Sequence, residues 1–182
     1  MTSSNPFLWW LPSGSDSTAQ KLSAPALPDV HAKPGHLIRR AQQIAVALFL
    51  EECAAFDLTP VQYAALVAIR DNPGIDATRV SGLIGFDRTT VSGVMERLES
   101  KAWIARKENA ADRRVKIVDI TTAGKKLLKE VEPSVARAQE RMLAPLEKDE
   151  QATLMVLLAK LVDLNNDASR APQRPLDMQN AG

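Results

Sequence analysis

A single cysteine, Cys53, excludes any disulfide within the chain. Two histidines, His31 and His36, are too few for a His/Cys metal spacing, and neither a glycine-rich phosphate loop nor a nucleophile elbow is present. An enzyme working through a nucleophile, a metal or a nucleotide would lack its usual residues, and no cofactor is expected. Aromatic residues make up only 4% of the chain while apolar residues reach 45%. Leucine and alanine supply much of that apolar content, which favours helices packed by aliphatic side chains over a β-sandwich. Long apolar runs are missing too. Phe7-Leu8-Trp9-Trp10-Leu11 is apolar but has no basic flank and is too short for a secretion signal or a membrane span. No membrane partner is expected, and a cytoplasmic location is the default. Nor does one sign of charge dominate: 23 basic residues face 22 acidic ones, so bulk charge points to no polyanionic partner.

What is present is helical periodicity between two irregular ends. Residues 1–34 are rich in Ser, Pro and Ala without a sustained period and read as a flexible N-terminal arm, whose Phe7, Trp9 and Trp10 are candidates for docking. Leu37, Ala41, Ile44 and Leu48 then form one apolar stripe on a helix that begins near His36. Thr59-Pro60-Val61-Gln62 carries a capping residue, a proline suited to the first helical position and a glutamine able to reach back, so a second helix starts there and runs to about Ile69. Toward the C-terminus, Leu128, Val131, Val135, Ala138 and Met142 make a near-heptad seam on a helix that Pro133 should kink or displace and Pro145 should end. Leu154, Leu157, Leu158, Leu161 and Leu164 line one side of a last helix from about Glu147 to Leu164, and residues 165–182 read as a flexible polar tail.

The middle of the chain carries the functional signal. Ala77 to Ile84 reads as a short helix, Gly85-Phe86-Asp87 as a tight turn, and Arg88 to Ser100 as a second helix. Val91, Val94, Met95 and Leu98 form the inward stripe of that second helix. Thr89, Thr90, Ser92, Gly93, Glu96 and Arg97 are left outward, which is the pattern of a helix-turn-helix with a small, polar reading face. Two candidate strands follow, Trp103-Ile104-Ala105-Arg106-Lys107 and Val115 to Ile120, around the charged loop Asn109-Ala110-Ala111-Asp112-Arg113-Arg114; directly after a helix-turn-helix, they make a wing. From Arg97 to Lys116 there are seven basic and three acidic residues, a local excess of four in a nearly neutral chain.

Taken together, Asp87-Arg88-Thr89-Thr90-Val91-Ser92, Arg97 to Arg106, Asp112-Arg113-Arg114 and Ile120-Thr121-Thr122-Ala123-Gly124 resemble the MarR family of bacterial transcriptional regulators, over roughly residues 36–164. The resemblance implies a mainly α fold with a small β-hairpin wing. It places a DNA-binding part at about 59–120 within a domain spanning 35–164, with dimerisation helices at about 36–56 and 122–164. Two residues depart from the family pattern: Ala102 stands where glycine is usual at the bend before the wing, and Glu147 where a Ser or Thr cap is usual. Both should cost local stability. The long arm and the His36-Leu37-Ile38-Arg39-Arg40 helix start are similar to the repressors of nicotinate degradation, which implies a pyridine carboxylate or hydroxy acid as effector.

The expected partners are therefore double-stranded DNA, a second copy of the chain and a small aromatic carboxylate. Candidate DNA contacts are Arg88, Thr89, Thr90 and Ser92 at the start of the reading helix, Arg97 and Lys101 near its end, and Arg106, Arg113 and Arg114 in the wing, with Lys107 and Lys116 as further phosphate partners. Arg113 is the expected wing tip, where a guanidinium can enter a narrow minor groove; Asp112 is expected to hold a neighbouring arginine. His36, Arg39, Arg40 and Tyr63 are the candidate effector-binding residues, matched to an anion in an apolar cleft. A redox role for Cys53 is disfavoured, because the neighbouring Glu51 and Glu52 make a thiolate scarcer. Two other classes remain open: an adaptor that binds only proteins through its winged helix, and, more distantly, a small-molecule enzyme.

Overall fold

A computed structural model describes residues 30–109 and 114–175. A short 3-10 turn, Val30–Ala32, leads into α1 (Pro34–Glu52). Among the described residues there follow α2 (Pro60–Asp71), β1 (Ile75–Asp76), α3 (Ala77–Ile84), α4 (Arg88–Ser100), β2 (Ile104–Glu108), β3 (Lys116–Ile120), α5 (Thr122–Leu143) and α6 (Lys148–Leu164). The strands form one antiparallel sheet in the order β1-β3-β2. Ile104 pairs with Ile120 and Glu108 with Lys116 across the wing, and Ile75 pairs with Val118.

Local chemistry explains most boundaries. Thr59 and Gln62 form the expected capping box: the Gln62 N–H donates to Thr59 Oγ1 at 3.3 Å, and the Thr59 N–H donates to Gln62 Oε1 at 3.0 Å. Asp76 caps α3, Asp87 caps α4 and Thr121 caps α5, each accepting an N–H from three residues on. Gly85 ends α3 at φ +66°, the left-handed conformation that glycine adopts without steric penalty. Ala102 takes φ +56° at the bend before β2, so the departure from glycine noted in the sequence does fall on a left-handed position. The other departure is compensated: Glu150 Oε2 accepts the Glu147 N–H at 2.9 Å and seals the start of α6.

The core lies where α2, α3, α4, α5 and the sheet meet. Leu66, Ile69, Val80, Val91, Met95, Leu98 and Val131 are fully buried there. The inward stripe of α4 is the one read from its periodicity. Cys53 also belongs to this core, one residue past α1, where burial and then Glu52 push its thiol pKa up. The seam of α5 packs against α1 within the protomer: Leu128, Val131, Val135 and Ala138 are buried. Pro133 sits on the exposed face of α5 and does not interrupt it.

Glu52 fastens α1 to α5. It accepts from Arg141 at 2.6 Å and from Arg137 at 3.0 Å, and Glu51 also accepts from Arg141. These two guanidinium groups, Arg141 first, hold the Glu52 carboxyl below the usual carboxylate range. A lowered carboxyl contributes its stability above the ordinary unfolded value of about 4.3, and that stability is lost as pH falls through the folded value. Glu52→Gln should therefore be less stable than the parent at pH 7, with the gap closing below about pH 4. Urea titrations at both pH values check this, and a gap of the same size at pH 3.5 would contradict it.

The outer helices behave differently. Within the protomer, none of the residues of α6 is buried. Val156, Leu157, Leu161, Val162 and Leu164 are exposed on it, and Leu37, Ile38, Ile44 and Leu50 are exposed on α1. The apolar stripe read on the first helix thus faces outward, with Phe49 the buried residue of α1. Past Leu164 the chain does not simply trail away: residues 165–175 turn back, through a 3-10 turn at Asn166–Ala168, and lie against α3.

Candidate nucleic-acid interface and effector cleft

Helix α4, the candidate reading helix, presents its N-terminal turn to solvent. Arg88, Thr89, Thr90 and Ser92 are all exposed, while Val91 between them is fully buried and fixes which way the turn faces. Asp87 holds this turn in shape. Its Oδ1 accepts the Thr90 N–H at 2.9 Å and its Oδ2 accepts the Thr90 hydroxyl at 2.7 Å. The Thr90 hydroxyl, and then its N–H, keep the Asp87 carboxyl below its ordinary range. The hydroxyl proton of Thr90 is thereby committed to the cap, so Thr90 reaches a partner as an acceptor or through its methyl group. Arg88, Thr89 and Ser92 are the stronger candidates for base edges.

Next to this turn lies a cleft of about 1010 Å³, between α3, the start of α4, the base of β3 and residues 170–174. Arg79, Arg88, Arg114 and Lys116 line it, with Asp76 and Asp87 as the acidic members. Arg88 and Arg114, distant in sequence, both line it. Arg79 was not singled out from the sequence, because a lone arginine on α3 looks like ordinary surface.

The remaining basic candidates have other engagements. Lys101 lies at the far end of α4, about 20 Å from Arg88 at 1.5 Å per residue. Its ammonium donates to the Asp57 carboxylate and carbonyl, each at 2.6 Å, and sits 4.5 Å from the Trp103 ring centroid. Arg106 pairs with Glu99 at 3.0 Å, Lys107 with Asp119 at 3.0 Å and Lys116 with Glu108 at 2.8 Å. Arg97 is exposed on the last turns of α4. Arg113 and Asp112 lie outside the described residues.

A second cleft, of about 650 Å³, opens between α2 and α5. Tyr63, Val67 and Leu128 give it an apolar floor, and Arg70, Lys125, Lys129 and Glu132 surround it. The Tyr63 hydroxyl donates to Glu132 Oε2 at 3.0 Å. Burial, and then this bond to a carboxylate, push the phenol pKa well up, so Tyr63 is a neutral donor at any working pH. Of the residues expected to bind an effector, Tyr63 lines this cleft, and Arg70, Lys125 and Lys129 around it were not singled out from the sequence. Lysines spaced by four on a helix are indistinguishable in sequence from a solvated face.

His36, Arg39 and Arg40 do not line this cleft. They sit on the first turns of α1, where Arg39 and Arg40 both donate to Gln43 Oε1 at 3.1 Å and His36 meets His31 edge-on with ring centroids 5.0 Å apart. Tyr63 instead packs near Phe49, at the other end of α1. Thirteen residues of helix separate His36 from that level, about 20 Å. Burial first, and Arg39 next, push the His36 pKa down. Among the described residues, no group of three or more His, Cys, Asp or Glu is placed to hold a metal ion, and no helix is long and apolar enough to cross a membrane.

Comparison with known proteins agrees with this architecture. Residues 56–115 match the model of the MarR family. The transcriptional regulator HosA of Escherichia coli is 30% identical over 131 residues, which cover 72% of this chain and 96% of HosA. The chain belongs to the MarR family. Its MarR-type relatives also include the HTH-type transcriptional repressor NicR of Pseudomonas putida, 29% identical over 140 residues, covering 77% of this chain and 89% of NicR. Among solved structures, BpsR of Bordetella bronchiseptica superposes with a TM-score of 0.70 at 32% identity, covering 74% of this chain and 96% of BpsR; that structure concerns regulation of its DNA binding by 6-hydroxynicotinic acid. As a MarR-family member the chain is a transcriptional regulator with a winged-helix fold, and the resemblance to nicotinate-type repressors is supported by the match to NicR.

Proposed function

We propose that this regulator is a homodimeric repressor that reads a pseudo-palindromic operator and is released from it by a small aromatic acid. The observation that carries the DNA reading is the exposed turn Arg88-Thr89-Thr90-Ser92 set beside a cleft rimmed by Arg79 and Arg114. Short hydroxyls at a helix N-terminus reach base edges in a major groove. The partial positive charge of that terminus, together with the flanking guanidinium groups, suits the adjacent phosphates. An adaptor that binds only proteins has no need of that arrangement. Dimerisation is supported by α1 and α6, whose outward apolar side chains need a second surface to cover them. Footprinting on the DNA upstream of the regulator's own gene should show a protected site with half-sites about one helical turn apart. Protection that is uniform along the probe, or absent, would refute this reading.

The α2–α5 cleft is the proposed effector site. Its apolar floor fits an aromatic ring, the Tyr63 oxygen, its proton given to Glu132, can accept from a ring hydroxyl or N–H, and Lys125, Lys129 and Arg70 suit a carboxylate. The name of NicR and the ligand studied with BpsR both favour a hydroxylated pyridine carboxylate. His36, Arg39 and Arg40 can join this site only from the partner protomer, because their own cleft lies about 20 Å along α1. Isothermal titration with 6-hydroxynicotinate should show that Lys129→Ala and Arg39→Ala each weaken binding about tenfold or more, the effect of one lost charged hydrogen bond. Unchanged affinity in Lys129→Ala would remove the cleft from the mechanism. Unchanged affinity in both His36→Ala and Arg39→Ala would remove the helix start.

A further inference from the structure

The stretch after α6 is fastened to the helix-turn-helix by its backbone and by two amide side chains. Asn166 brackets Gln173, donating to its carbonyl at 3.0 Å and accepting its N–H at 2.8 Å, which closes residues 166–173 into a compact loop. Gln173 Nε2 then donates to the Leu83 carbonyl at 2.7 Å, and the Arg174 N–H donates to the Gly82 carbonyl at 2.8 Å. Those carbonyls belong to the last turn of α3, where a helix has no N–H of its own to offer. The strap therefore completes the end of the first helix of the reading motif. The carbonyl of Ala171 also comes close to Gly85, lying 3.6 Å from where a Cβ there would sit.

This fastening has an electrostatic result. Arg170 and Arg174 are both exposed, and both line the cleft that Arg79, Arg88 and Arg114 share beside the reading turn. The acidic lining residues, Asp76 and Asp87, cap α3 and α4, and Asp76 also meets Arg79 at 3.6 Å, so two carboxylates stand against five arginines and Lys116 in the lining. A concave surface with this excess of guanidinium groups, next to a helix N-terminus, matches a run of phosphates.

We propose that the C-terminal strap is part of the DNA-binding surface. It carries Arg170 and Arg174 to backbone phosphates beside the bases read by α4, and Asn166 and Gln173 position it there. The proposal rests on the DNA reading above. Phosphate contacts carry no sequence information, so the strap raises affinity for operator and for unrelated duplex alike.

The test is fluorescence anisotropy with the full-length regulator, on its operator and on a scrambled duplex, from low to high salt. Each neutralised phosphate contributes about 0.9 to the slope of log affinity against log salt. Four strap arginines per dimer should therefore make the slope shallower by about 3 to 4 in the double variant Arg170→Gln, Arg174→Gln. Operator and scrambled duplex should weaken in parallel, with the dimer and its thermal midpoint unchanged. The double variant Asn166→Ala, Gln173→Ala keeps both arginines but releases the strap, and it should reproduce most of the loss. An unchanged slope in the arginine variant, while the parent protein binds normally, overturns the proposal and leaves the DNA reading standing. A lowered thermal midpoint with the parental slope also overturns it, since the strap would then only brace α3. Failure of the parent protein to prefer its operator would instead sink the reading on which the proposal rests.

Discussion

Gly124→Ala should strongly destabilise this protein. A Cβ at Gly124 would fall onto the carbonyl oxygen of Trp103 and approach Ile120 Cγ1 to 2.8 Å. The first obstacle is backbone, and that backbone is held in place. The Trp103 carbonyl accepts the Thr121 N–H at 3.0 Å, and the Thr121 hydroxyl bonds the carbonyl of Ala102 at 2.7 Å. Neither side can retreat without opening the junction of α5 with the wing. Overpacking typically costs about 1–3 kcal/mol, and with no flexible side chain to yield this site belongs at the top of that range or beyond. Against a total stability of about 5–15 kcal/mol, the thermal midpoint should drop by about 10 °C or more. Gly93→Ala is the matched control. A Cβ there meets nothing within 4 Å, and Gly93 lies inside α4, so alanine should stabilise the fold by about 1 kcal/mol. Melting curves that move the same way for both variants would show that the close approach at Gly124 does not govern stability.

Leu157→Glu with Leu161→Glu should give a folded monomer that no longer holds its operator. Both leucines are about half exposed on α6, which buries nothing within the protomer, so the fold has little to lose. The dimer has much to lose. Burial of a leucine is worth about 1.5–3 kcal/mol, and a two-fold axis counts each position twice. Even a total loss of about 3 kcal/mol raises the dissociation constant more than a hundredfold, before any repulsion among four carboxylates. Half-site affinity then replaces bivalent binding, and operator affinity should fall by about two orders of magnitude or more. Light scattering on the eluting protein gives the mass, and circular dichroism reports the helices. A variant that elutes as a dimer with parental operator affinity would show that α6 faces something other than its copy.

How much of this was legible in the sequence depended on how local each signal was. The bounds of α3 and α4 and the buried stripe of α4 follow from periodicity and from one glycine turn, and they agree with the structure to the residue. The Thr59–Gln62 capping box is likewise a four-residue signal. β1 was missed because two residues carry no period; only their pairing with β3 makes them a strand. Pro133 was expected to kink or displace α5 locally; the helix continues past it, with that proline on the exposed side and the opposite face packed along α1. The candidate surfaces were legible in part. Composition and spacing put forward Arg88, Arg114 and Tyr63, and these line the two clefts. They could not say that Lys101 and Arg106 spend their charge on Asp57 and Glu99, because those pairings depend on tertiary distance. Nor could they bring Arg70 to Lys129, or Arg170 to Arg114, which share a surface only after folding.

One consequence follows from how α5 is tied at several places. Its first turn is bonded to the base of the wing through Thr121, its middle touches α2 through Glu132 and Tyr63, and its later turns are clamped to α1 by Arg137 and Arg141. The helix spans 22 residues, about 33 Å, with the proposed effector cleft between its two ends. It is therefore a lever clamped to α1 at one end, and a ligand in that cleft would press on it part-way along. A wedge that tips it by only about 5° would displace the far end of a 33 Å rod by about 3 Å, close to the rise of two helical residues. Across a two-fold axis the two wings would swing in opposite senses, so a movement too small to disturb the core would still spoil the match to a rigid duplex.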